Sequence, residues 1–251
     1  MTRPFASRRA PKPRRSRLRS RLAWAMLAAV VAVLIGVAAA SGFLGHNAVR
    51  LFAPEDERRP FAALYLSGDM GLQLGMGRHV APALAAHGIP VIGINSPALF
   101  ARHRTRAEVD EIVADSVRQA MRQTGAERIV LIGQSFGSDM IATALPSFPA
   151  DLRPHVAAAL LVVPGRNAYF RADPLGIAYR GKPDAQPAAA LRNVGWTRLI
   201  CIRGAQETDS LCPELAGTTA RLITLPGGHF LRLDYRRLTA TILRMLDGAG
   251  T

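Results

Sequence analysis

The chain has 251 residues, 49% of them apolar, and a formal charge of +14. That length and composition exclude a disordered chain and are enough for one domain with a sizeable core. Nine of the 32 basic residues lie between Arg3 and Arg21, and no acidic residue precedes Glu55; the remaining 23 basic and 18 acidic residues leave only +5. The charge is therefore a property of a tail, which removes the main support for a nucleic-acid partner, and none is expected.

Residues 1–21 read as a basic cytoplasmic tail. Residues 22–44 then run without a charge, long enough to cross about 30 Å of hydrocarbon. Arginines before an apolar run stay cytoplasmic, so everything after Leu44 is expected on the far side of the inner membrane. The alternative is a signal peptide cleaved near Ala38-Ala39-Ala40, which would release a soluble periplasmic protein. The length of the run favours an uncleaved, single-pass anchor, and both versions export the rest of the chain. Residues 45–60, with Pro54 and Pro60, read as a linker, and residues 61–251 as one α/β domain.

Within that domain Phe61–Leu66 reads as a strand, broken at Ser67-Gly68-Asp69-Met70-Gly71. A helical run over Gln73–His87 follows, with Pro82 marking a kink or a later start, and Gly88 stops it. Val91–Ile94 is a strand. Thr105-x-x-Glu108 is a capping box that opens a helix ending at Gly125. Ile129–Ile132 is a buried strand, followed by a short helix closed near Pro146. Val156–Val163, Leu199–Arg203 and Leu222–Leu225 are further strands, Gly165–Asn193 is irregular, and Tyr235, Leu238, Ile242 and Met245 mark a last helix. Strands alternating with helices predict a mostly parallel sheet with helices on both faces. The linker is too short for two antiparallel opening strands, so a sheet reduced at that edge is expected.

The chemistry centres on Gly133-Gln134-Ser135-Phe136-Gly137. A strand, then G-x-S-x-G, then a helix is the nucleophile elbow of the α/β-hydrolase fold: glycines two residues either side of the serine let the chain turn sharply and lift the hydroxyl above the sheet. The Phe136 N–H is placed to stabilise an oxyanion, and the loop Gly68-Asp69-Met70 is the candidate second donor. Asp69 is expected to cap the following helix or to meet a cationic group. Serine needs a base. Of the six histidines, only His229 lies beyond the elbow between a late strand and the final helix, after the flexible Pro226-Gly227-Gly228. The acid is expected in the loop after Leu199–Arg203, which offers Glu207 and Asp209; the spacing leans towards Glu207 and leaves both open. Cys201 and Cys212 frame that loop, as a disulfide in an oxidising compartment or as two free buried thiols. No cluster has metal-ligand spacing and no phosphate-cradling loop appears, so neither metal nor cofactor is expected.

The motifs Leu66-Ser67-Gly68-Asp69, Gly133 to Asp139, Cys201 through Glu207-Thr208-Asp209-Ser210-Leu211-Cys212-Pro213, and Gly227-Gly228-His229-Phe230 resemble the VirJ/AcvB family of exported, α/β-hydrolase-like virulence proteins. The resemblance covers about Phe61–Leu246. It implies Ser135 as nucleophile, His229 as base and a periplasmic location. It also implies either hydrolysis of aminoacyl-, often lysyl-, phosphatidylglycerol or a role beside a type IV secretion system. The chain departs from the family pattern at Met70 (usually Gly), Gln134 (usually aromatic) and Phe230 (usually a second His). The expectation is a membrane-anchored serine hydrolase acting on a phospholipid aminoacyl ester. The alternatives are a non-catalytic accessory protein of secretion components and a generic carboxylesterase.

Overall fold

A computed structural model describes residues 14–43, 48–55 and 57–247. The first part of the expected basic tail, residues 1–13, lies outside the described residues. Two compact units result, residues 1–39 and 40–251.

Helix α1 (Arg14–Ser41) belongs to the first unit except for its last two residues. Its stretch Arg19–Ser41, 23 residues, is long and apolar enough to cross a membrane.

The second unit is built on a seven-stranded sheet in the order β1-β3-β2-β4-β5-β6-β7. The strands are β1 (Val49–Phe52), β2 (Ala62–Leu66), β3 (Val91–Ile94), β4 (Ile129–Gln134), β5 (Val156–Val162), β6 (Arg198–Gly204) and β7 (Arg221–Leu225). All neighbours pair in parallel except β1, which runs antiparallel to β3. Every residue of β2, β3, β4 and β5 is buried, as a parallel sheet covered on both faces requires. Alternate residues go to opposite faces. Leu64, Leu66 and Leu131 pack under α5 (Arg106–Thr124) and α6 (Phe136–Ala144). Ala63, Tyr65 and Ile132 pack under α3 (Gly77–Ala85) and α8 (Tyr235–Leu246). Neither apolar cluster uses a residue before Phe43, so the second unit holds its own core.

Two expectations need correcting. The 45–60 segment is not only a linker, because β1 lies inside it. β1 is a short edge strand with one buried side chain, Phe52, and Arg50 lies over the Phe52 ring, so its apolar pattern is too thin to read. One antiparallel strand thus completes this edge, where two often open the fold. The helix expected over Gln73–His87 is two pieces, α2 (Gly71–Leu74) and α3, with the break at Gly75-Met76. The later start thus comes at Gly77, five residues before Pro82, which lies inside α3. The capping box forms as expected: the Glu108 N–H donates to Thr105 Oγ1 and the Thr105 N–H to Glu108 Oε2, and Gly125 closes α5 in the left-handed conformation.

Candidate active site

Strand β4 delivers Ser135 to the carboxyl edge of the sheet, where parallel α/β folds place their sites. Ser135 has φ 51° and ψ −122°, a conformation that costs energy for any residue with a Cβ and marks a backbone held by its surroundings. The surroundings are identifiable. The Ser135 N–H donates to the Val162 carbonyl (2.8 Å). Ser138, one turn into α6, both donates to the Val162 carbonyl and accepts from its N–H (2.9 Å each). The strained turn is thereby locked to the end of β5.

The Ser135 hydroxyl lies 2.8 Å from His229 Nε2, and His229 Nδ1 lies 2.7 Å from Glu207 Oε1. Because a carboxylate only accepts, Nδ1 carries the proton, and the lone pair on Nε2 faces the serine hydroxyl. Glu207 is almost fully buried, with 4% of its side chain exposed. Its second oxygen accepts from the Gly204 N–H (3.3 Å) at the end of β6. Of the two candidate acids, the structure brings Glu207 to the histidine. Asp209 is a correction: it is exposed on the same loop, lines the cleft and makes no hydrogen bond to His229. The backbone decides between them, since Glu207 lies three residues past Gly204 and is held by its N–H. Cys201 and Cys212 form a disulfide that closes this loop back onto β6, and neither thiol is free.

The expected oxyanion donors lie beside the serine. Phe136 is the first residue of α6, where N–H groups have no helical partner. Gly68 packs so closely that a Cβ there would come within 3.3 Å of Ser135 Cβ. Met70 fits this loop without strain: its φ is −81°, and the position that demands glycine is the next one, Gly71, with φ 68°. Asp69 is a second correction. It does not cap α2, whose N-cap is Met70 with no side-chain bond. Its Oδ1 instead accepts from the Tyr179 hydroxyl and the Asp173 N–H, tying the oxyanion loop to the irregular segment 165–193.

That segment closes one side of a cleft of about 840 Å³ in front of Ser135. Five carboxylates line it (Asp69, Asp139, Asp173, Glu207 and Asp209), while no lysine or arginine does. Asp139 is one helical turn after Ser135, and its Oδ1 accepts from the Gly165 N–H (2.8 Å). Burial, then repulsion from Asp69, Asp209 and Glu207, pushes its carboxyl well above the usual range. Burial likewise raises Asp69, against the hydrogen bonds from Tyr179 and Asp173. Behind the serine, the buried Tyr65 hydroxyl donates to Gln134 Oε1, which leaves the Gln134 amide N–H groups to the cleft. Among the described residues no group of three or more His, Cys, Asp or Glu side chains is placed to hold a metal ion.

Asp139 makes a pH prediction. A carboxyl whose folded pKa is raised stabilises the fold fully below the ordinary aspartate value of about 3.9, and that contribution is lost as the pH rises through the raised value. Asn keeps an acceptor for Gly165 and has no proton to lose. Denaturant midpoints across a pH series are expected to show Asp139→Asn gaining on the wild type from about pH 4 upwards; parallel curves would contradict this.

The family model for bacterial virulence protein (VirJ) matches residues 61–249. The chain belongs to the VirJ family. Solved structures similar to this VirJ-family chain share its fold. A putative dienelactone hydrolase from Klebsiella pneumoniae has TM-score 0.56 and 15% identity, over 80% of this chain and 98% of that one. Est1E from Butyrivibrio proteoclasticus has TM-score 0.54 and 15% identity, over 79% and 94%. The esterase domain of a Rhodothermus marinus protein has TM-score 0.53 and 14% identity, over 78% and 92%. At these identities the likeness is one of fold, the α/β-hydrolase fold. No match is found among curated proteins.

Tyr65 and Asp173 are not anticipated from the sequence, and no local pattern points to them. Asp139 had a signal: it lies four residues after the nucleophile, the spacing that puts two helical side chains on one face.

Proposed function

We propose that this VirJ-family protein is a membrane-anchored serine hydrolase that cleaves the ester between an amino acid and phosphatidylglycerol. The observation that carries the reading is the run of carboxylates beside Ser135 with no lysine or arginine among them. An aminoacyl ester has its ammonium one carbon from the scissile carbonyl, so a cation must sit next to the nucleophile. A desolvated carboxylate such as Asp139 gains most from that partner, because it lacks one in the free protein.

In this reading Ser135 Oγ attacks the ester carbonyl carbon while its proton passes to His229 Nε2. Glu207 stabilises the imidazolium that forms. The Phe136 N–H and the Gly68–Met70 loop hold the oxyanion. His229 returns the proton to the departing phosphatidylglycerol oxygen, and a water activated by the same nitrogen then splits the acyl-enzyme. The helix Arg19–Ser41, flanked by arginines on its N-terminal side, would keep the enzyme at the inner membrane with its catalytic unit in the periplasm; the disulfide suits that compartment.

The test is release of lysine from vesicles containing lysyl-phosphatidylglycerol by the full chain. The expected result is turnover by wild type and a preference for the aminoacyl ester over a neutral acyl ester that falls in Asp139→Asn. Equal cleavage of neutral esters would point to a generic carboxylesterase. Absence of turnover, together with no labelling of folded protein by a fluorophosphonate, would sink the hydrolytic reading and leave an accessory role.

A further inference from the structure

Among the described residues outside α1, seven large apolar side chains are strongly exposed, and five of them gather at one place. Leu74, Leu175, Phe230 and Leu233 line the mouth of the cleft, and Ile177 lies two residues from Leu175. The last four of these five (Leu175, Ile177, Phe230 and Leu233) are 60–67% exposed. Scattered apolar side chains on a surface need no explanation, but a group of them does. We propose that this rim docks the domain onto an anionic phospholipid surface, with the cleft facing the bilayer.

The turn carrying Leu175 and Ile177 is built to hold them outwards. The Asp173 carboxylate accepts from the Leu175 N–H (3.0 Å) and the Ala178 N–H (2.7 Å). The Asp173 N–H in turn donates to Asp69 Oδ1 and to the Tyr179 hydroxyl (3.0 Å each). A floppy loop could fold its apolar residues back onto the protein; this one is pinned at both ends. Holding Leu and Ile in water forfeits the stabilisation that burial would give, so the arrangement makes sense where another apolar phase covers it.

Charge identifies that phase. Arg171, Arg180 and Lys182 flank the Leu175–Ile177 turn, and Arg232 and Arg236 flank Leu233, none more than five residues away in the chain. All five are exposed, and none takes part in an ion pair among the described residues. The acidic side chains nearest these basic groups are taken up elsewhere: Asp173 by the turn's own N–H groups, Asp184 by His103 and Asp234 by Arg237. Apolar tips surrounded by unpaired basic groups fit the interface of a bilayer carrying anionic headgroups, where each nearby lysine or arginine adds attraction. The same chain carries an apolar helix long enough to span such a bilayer. A tether alone raises local concentration and leaves orientation free; the rim would supply the orientation.

Docking can be measured without turnover. The fragment of residues 40–251, which holds its own core and lacks the apolar helix, is taken in a Ser135→Ala background. It is sedimented with vesicles of phosphatidylethanolamine and phosphatidylglycerol, or of phosphatidylcholine alone. Binding to the anionic vesicles is expected, weakened by salt. It should fall roughly tenfold or more in Leu175→Asp/Ile177→Asp, the equivalent of losing one to two buried side chains. Circular dichroism and the melting temperature check that the variant folds; should it not, Arg180→Glu/Lys182→Glu is the second variant and is expected to weaken binding as well. No sedimentation of the parent fragment, or equal sedimentation of the folded variants, would overturn the proposal. So would a dimer in solution that Ile177→Asp dissociates, because a second copy would then cover the rim. None of these outcomes depends on the ester being cleaved, so a failure here is distinct from a failure of the hydrolytic reading.

Discussion

Ser135→Ala is expected to lower kcat for a soluble ester by about a millionfold, Glu207→Gln by about ten-thousandfold, and Asp209→Asn by no more than about threefold. The order follows from the hydrogen bonds. Without the Ser135 hydroxyl there is no nucleophile 2.8 Å from His229 Nε2. Glu207→Gln preserves size and burial but changes the group facing Nδ1, which lies 2.7 Å from Glu207 Oε1. An amide there can present its N–H, which places the imidazole proton on Nε2. That nitrogen then cannot take the proton of Ser135. An amide also carries no charge to offset the imidazolium. Asp209 is exposed and Glu207, not Asp209, is hydrogen-bonded to His229 Nδ1, so the loss of Asp209 leaves the tautomer as it was. The three groups act as a unit, so Ser135→Ala/Glu207→Gln should be no slower than Ser135→Ala alone. Steady-state hydrolysis of a short-chain nitrophenyl ester reads all four. A large loss in Asp209→Asn with a small one in Glu207→Gln would reverse the assignment of the acid.

Much of this site was legible in the chain because its parts are local. The elbow is five consecutive residues, and the turn that strains Ser135 requires the glycines around it. The buried strands β2, β4 and β5 are continuous apolar runs, and α5 announces both ends through Thr105, Glu108 and Gly125. What stayed hidden depends on distance or on backbone detail. The choice between Glu207 and Asp209 turns on the Gly204 N–H, a contact that exists only once β6 has ended where it does. The bond from Tyr179 to Asp69 joins residues 110 apart, and no spacing rule reaches that far. The edge strand β1 buries one side chain, so hydrophobic periodicity had almost nothing to report. Its place is set by pairing with β3.

The acidic lining shows the same division. Glu207 and Asp209 stand out in sequence only as candidate acids, Asp139 only by its spacing from Ser135, and Asp69 reads most simply as a helix cap. Only the fold brings residues from the loops after β2, β5 and β6, and from α6, around one space. Their mutual repulsion then becomes a property of the site, because burial keeps water from screening it. The chain as a whole is basic, and the acidity of the cleft runs against that average, which is why composition pointed away from it.

Gly137→Ala carries the second large expectation, a loss of stability of about 3 kcal/mol or more together with reduced activity in whatever remains folded. A Cβ on Gly137 would lie 2.3 Å from the Leu66 carbonyl oxygen and 2.7 Å from that of Ser67. Both are backbone atoms at the end of β2, paired in parallel with β4 on one side and β3 on the other, so they cannot rotate away as a side chain would. Either α6 lifts off the sheet or the Ser67–Met70 loop moves. The first opens the packing of Phe136 and Met140 against the core. The second shifts Gly68 from Ser135 and with it the expected oxyanion donor. Gly125→Ala makes the contrast. That glycine has φ 66° and nothing within 4 Å of an added Cβ, so its cost is conformational alone, about 1–2 kcal/mol. Denaturant midpoints for the pair separate close approach from backbone preference. If Gly137→Ala were no worse than Gly125→Ala, α6 would have to sit further from β2 than this geometry requires, and the elbow would owe its shape to something other than the contact between them.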